Sequence, residues 1–76
     1  MVRAFIMAKT SAGTSADLRS AIEGVPGVQE AHVVAGKYDI IVEAEGAEVY
    51  DVIHTVATEI RDLDGVMDTR TYICLE

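Results

Sequence analysis

Seventy-six residues leave room for one domain, and a chain this short buries only about 60% of the surface its unfolded form exposes. Half of the residues are apolar, and 13 acidic against 6 basic residues give a formal charge of −7. That balance repels the phosphate backbone of a nucleic acid, whose binders draw their affinity from clustered Lys and Arg. The single cysteine, Cys74, excludes an intrachain disulfide framework.

A core this small commonly recovers stability from disulfides, a metal or self-association. The apolar excess points first to oligomerisation. No block of like charges forms a tail, so the acidity is a spread, solvated surface; it suits a salt-rich cytoplasm and an ordinary acidic domain equally. Lys9 interrupts the apolar start, leaving it too short for a signal peptide. No run approaches the ~18 apolar residues that span a bilayer. The expectation is a cytoplasmic chain with no membrane contact.

The elements follow in order. Residues 2–9 read as a strand, apolar and free of breakers. A polar loop follows, in which Thr14 or Ser15 can cap a helix running to about Glu23 with Leu18, Ala21 and Ile22 on one side. Gly24-Val-Pro-Gly27 stops it, because Pro26 cannot continue a helix. A second strand covers about 28–35, Gly36-Lys-Tyr-Asp39 turns the chain, and a third strand runs to about Glu45. Residues 47–62 carry Val49, Val52, Ile53, Val56 and Ile60 at helical spacing. Asp64-Gly65 ends that helix, and 66–75 form the last strand.

The two halves repeat each other. Ile22-Glu-Gly-Val25-Pro-Gly27-Val28 superposes on Ile60-Arg-Asp-Leu63-Asp-Gly65-Val66, and the same shift places Val2, Ala4 and Ile6 on Ile40, Val42 and Ala44. Two βαβ units in tandem predict an α+β fold: a ferredoxin-like βαββαβ sandwich, with a four-stranded antiparallel sheet and two helices on one face. The bare face decides the assembly. In the first strand Val2, Ala4, Ile6 and Ala8 alternate with Arg3, Phe5, Met7 and Lys9, so both sets hold large apolar groups. A sheet wetted on one face alternates more cleanly, which predicts a dimer formed sheet to sheet.

Chemistry-bearing residues are sparse. His32 and His54 have no Cys or His at metal-ligand spacing, so no metal and no cofactor are expected. Cys74 between Ile73 and Leu75 reads as a packed thiol with no base beside it. Asp62 and Asp64 sit where a helix dipole disfavours negative charge, which marks a cation site or nothing more than an acidic surface. The hairpin Val33 to Ile41 has most character. There Gly36 can supply a positive φ and Asp39 can bond the turn's amides. The same carboxylate, beside the Tyr38 ring, can instead hold a ligand's ammonium.

Gly36-Lys-Tyr38-Asp39-Ile-Ile, an amphipathic helix, and then Gly65-Val66-Met-Asp-Thr69-Arg-Thr71-Tyr-Ile73 form an ordered set. With the first strand and Val25-Pro-Gly27-Val28, that set resembles the Lrp/AsnC transcription regulators over essentially all of residues 1–76. The resemblance is to their effector-binding domain, often called RAM. It implies a single ligand-binding domain that dimerises through its sheet and assembles further, commonly into rings of four dimers. It also implies amino acids or related molecules bound between neighbouring dimers. Carried over, Gly36, Tyr38 and Asp39 shape the pocket, and Thr69 and Thr71 offer hydroxyls. Family members carry a helix-turn-helix domain ahead of this region, and none fits before Met1. The resemblance is therefore to a stand-alone version that does not contact DNA itself.

The expected function is that of a non-enzymatic amino-acid-sensing and oligomerising module, acting alone or by co-assembly with a full-length regulator. Two alternatives stand beside it. Dimeric ferredoxin-like folds also host small monooxygenases and isomerases, for which His32 is the only strand-borne acid-base candidate. A ligand-free structural partner domain is the other.

Overall fold

A computed structural model describes residues 1–75. The chain runs β1 (Val2–Thr10), α1 (Ser15–Glu23), β2 (Val28–Val33), β3 (Ile40–Gly46), a second helix α2 and β4 (Val66–Ile73). Helix α2 is continuous over 49–61 but begins and ends as α-helix around a π-helical turn, Val52–Val56. The strands form one antiparallel sheet in the order β2-β3-β1-β4, as two interleaved βαβ units require.

Both helices pack on the same face. Ile6, Ala8, Ile40, Val42 and Ala44 meet Leu18 and Ile22 of α1 and Val56, Ala57 and Ile60 of α2 in one buried cluster. The internal repeat is literal at the ends of the helices. Ile22 and Ile60 are fully buried, and Gly27 and Gly65 take φ of +98° and +99°. Val28 and Val66 then pack against the same core. A left-handed backbone is cheap only for glycine, so each turn needs one where the sequence has it.

Several local features depart from the regular pattern. The π turn inserts one residue into α2, so Val52, Val56, Ala57 and Ile60 face the core while Val49 and Ile53 stay exposed, at 44% and 41%. In β2 the register shifts between Val28 and Glu30, and this bulge puts Val28 and Ala31 on the same, helix-facing side despite their odd spacing. The second strand also ends at Val33, two residues short of the expected 35, and β4 ends at Ile73. Thr14 does occupy the position that caps α1, yet its hydroxyl donates to the Ser11 carbonyl (2.8 Å) instead of accepting from the helix.

The opposite face carries the other alternate set. Its rows run His32–Ile41–Met7–Arg70 and Glu30–Glu43–Phe5–Tyr72, with Arg3 opposite Glu45 beyond them. Phe5, Met7 and Ile41 are half-buried, and Tyr72 is exposed. An apolar strip thus crosses the middle of the face, flanked by Arg3 in contact with Glu43 (3.4 Å) and Glu45 (3.9 Å).

Candidate ligand-binding site

The segment between β2 and β3 closes where Val34 and Asp39 continue the strand ladder. The Val34 amide donates to the Asp39 carbonyl (2.8 Å), leaving Ala35, Gly36, Lys37 and Tyr38 as a four-residue loop. The loop bends over the helix-free face of the sheet. Together with Met7 of β1 and Ile41 of β3 it encloses a shallow concavity of about 240 Å³, whose other walls are Val34, Ala35, Gly36, Lys37 and Tyr38. Apart from Lys37 and Tyr38, the side chains that line it are apolar.

Gly36 departs from its expected role. It is not among the positive-φ glycines, and a Cβ built on it meets nothing within 4 Å. Neither the turn nor the packing of this chain requires a glycine there; the space beside it is open. Asp39 also departs from expectation. Its carboxylate does not serve the turn's own amides but accepts from the Thr10 amide of β1 (2.8 Å).

Thr69 and Thr71 lie elsewhere. They pair with Ala8 and Ile6 on β4, an edge strand, and so stand half-exposed on the helix side of the sheet. Met7 and Ile41, which floor the concavity, belong to the other side. One chain therefore brings Gly36 and Tyr38 together with Asp39 at their root, and does not bring the two threonines to them.

A larger concavity, about 470 Å³, lies at the far end of the same face among Met1, Val2, Arg3, Glu45, Cys74 and Leu75. Its size comes from two outer residues, Met1 and Leu75, that are 88% and 92% exposed, and its charges already face each other. The hairpin concavity is smaller but walled by strand and turn, and is the better candidate. Cys74 is half-buried there rather than packed in the core.

The histidines build no reactive centre. His32 is exposed on the edge strand β2, its Nε2 3.0 Å from Glu30 Oε1. His54 stacks on the Tyr50 ring at 4.4 Å on the outside of α2. Among the described residues no group of three or more His, Cys, Asp or Glu side chains could hold a metal. No helix of the described residues is long and apolar enough to cross a membrane.

The sequence profile of the Lrp/AsnC ligand binding domain matches residues 3–76. The chain belongs to the Lrp/AsnC family. It is 32% identical over 60 residues to the leucine-responsive regulatory protein of Haemophilus influenzae, a match covering 79% of this chain and 36% of that protein. It spans 36–42% of the length of four curated relatives, by name one leucine-responsive regulatory protein and three HTH-type transcriptional regulators. The Lrp/AsnC domain also superposes on the crystal structure of the hypothetical protein PHS023 from Pyrococcus horikoshii. That likeness has a TM-score of 0.89 and 34% identity over 100% of this chain and 92% of the other. A likeness of fold alone, at 21% identity and a TM-score of 0.81, extends to the transcriptional regulator NMB0573 from Neisseria meningitidis, solved as a complex with L-Met. It covers 99% of this chain and 50% of that one.

Proposed function

We propose that this Lrp/AsnC domain takes up an amino acid at the hairpin concavity and couples that binding to assembly with further copies of itself or with a full-length regulator. The observation that carries the reading is the mostly apolar hollow at Met7 and Ile41, bordered by Gly36, Lys37 and Tyr38 with open space beside Gly36. An apolar side chain rests on Met7, Val34 and Ile41, and the Lys37 ammonium pairs with the ligand carboxylate.

A shallow hollow is an incomplete site. Small-molecule sites enclose most of their ligand, and one hairpin lying on a sheet cannot. A neighbouring subunit that closes the hollow supplies the missing wall, and the exposed edge strand β4 offers Thr69 and Thr71 for it. Gly36, Tyr38 and Asp39 then come from one chain and the hydroxyls from another. Ligand affinity that depends on a neighbour is, by reciprocity, assembly that depends on ligand. The names of the relatives, leucine-responsive among them, and the L-Met complex of a shared fold agree with this ligand class. With a charge of −7 the module is not the part of such a system that holds DNA.

The enzyme alternative finds no support in the geometry, since His32 stands on an exposed edge and not in a cleft. Calorimetric titration with the twenty amino acids at millimolar concentration tests the proposal. Heat is expected from leucine- or methionine-like ligands, with aspartate and glutamate weaker because the site is apolar and the chain acidic. No heat from any amino acid contradicts it. Gly36→Ala, whose added Cβ meets nothing within 4 Å in its own chain, is expected to weaken binding while moving the melting temperature by no more than about 2–4 °C (~0.5 kcal/mol or less).

A further inference from the structure

The hairpin ladder fails at one point, and Asp39 repairs it. Through Ile40 the pairing of β3 with β1 is regular, Ala8 opposite Ile40. One residue earlier the Asp39 amide, which in a regular ladder faces β2 as its own carbonyl does, turns instead to β1 and donates to the Ala8 carbonyl (2.9 Å). On the other side of β1 the pairing with β4 also slips, between Lys9 and Thr10. Thr10 is 8% exposed, so its amide, left by the departing strand, has little access to water. The Asp39 carboxylate fills the place of the absent strand carbonyl, 2.8 Å away. Three groups of Asp39 are thus engaged at once: its amide with β1, its carbonyl with Val34, and its carboxylate with Thr10.

We infer that Asp39 is a positioning residue, which fixes the root of the hairpin to β1 and thereby holds Tyr38 and Gly36 over Met7 and Ile41, and that it is not the group that takes the ligand's ammonium. The inference rests on the hairpin being the ligand site, and sharpens it. The carboxylate oxygen is committed to a part-buried amide, an orphaned amide is costly, and the loop has no other side-chain tie to β1 of this kind among the described hydrogen bonds. Recognition of the ligand then falls to the apolar walls, Lys37 and the neighbouring chain.

The two roles separate by chemistry. An asparagine keeps an oxygen that accepts from Thr10 but loses the charge that an ammonium needs; alanine loses both. Exchange of the Thr10 amide and the methyl resonances of Met7 and Ile41 report the hairpin's position, and titration with L-leucine reports the site. Asp39→Asn is expected to keep Thr10 protected, keep both methyl shifts and bind L-leucine within about threefold of wild type. The Asp39→Ala chain is expected to lose that protection and to bind at least tenfold more weakly, with its circular dichroism still native. If Asp39→Asn loses leucine as completely as Asp39→Ala while Thr10 stays protected, the carboxylate touches the ligand and the inference is overturned. If Asp39→Ala leaves Thr10 protected and the methyl shifts unmoved, the inference fails whether or not leucine binds. Absence of leucine binding in the wild type counts against the ligand reading alone, because the exchange and methyl arm still decides the positioning role.

Discussion

Single atoms decide which glycines this chain can spare. At Gly27 the backbone is left-handed, and an added Cβ would stand 2.7 Å from Val56 Cγ2 and 3.1 Å from the Glu45 carbonyl oxygen. Gly27→Ala is therefore expected to cost about 1–3 kcal/mol, a drop of roughly 4–8 °C in melting temperature per kcal/mol, checked by urea or thermal unfolding at matched protein concentration. Gly36 has neither constraint, and its alanine variant is the control. The same scale shows what sequence could and could not tell. Gly27 and Gly65 were legible because each follows a helix-ending apolar anchor and precedes a strand, twice over. Gly36 sits in a turn-like string, so a positive φ was the natural reading. The turn, however, is a four-residue loop in which that residue needs none, and its openness shows only in three dimensions. Asp39 was visible as a turn carboxylate, but its partner, Thr10, is 29 residues away, beyond the reach of local pattern.

At the scale of the element, periodicity gave the order β-α-β-β-α-β and most core residues, because the apolar spacing switches between two and three-to-four where the structure does. Two inserted residues set faces that regular spacing does not show. The π turn in α2 rotates Ile53 out and Ala57 in, and the bulge in β2 brings Val28 to the helix side. Neither insertion changes composition, so no sequence count detects it. The consequence is measurable. Ile60→Ala, at 0% exposure, is expected to cost about 2–5 kcal/mol, and Ile53→Ala, though it sits in the same apolar stripe, less than about 1 kcal/mol. Equal losses in denaturant titrations would place Ile53 in the core and contradict the π turn. Helix α2 also starts with a reciprocal cap, the Glu48 amide donating to Asp51 Oδ2 (3.1 Å). That cap is read from the structure alone, since Glu and Asp are not the usual pair of a capping box.

The whole molecule is a half-finished sandwich. Helices cover one face of the sheet, while the other carries Phe5, Met7, Ile41 and Tyr72 in adjacent rows with a hollow at each end. Covering large apolar side chains is worth roughly 1.5–3 kcal/mol for each one wholly removed from water, and a second copy presents the same strip to be covered. The hairpin hollow lies on that face and Thr69 and Thr71 lie on an edge strand, so the proposed function makes site and assembly parts of one arrangement. Sedimentation velocity of the wild-type chain at micromolar concentration, with and without millimolar L-leucine, tests that arrangement directly. It is expected to show a dimer or larger species without ligand and a shift in the distribution of species when leucine is added. A single monomeric boundary, unchanged by leucine, would contradict it.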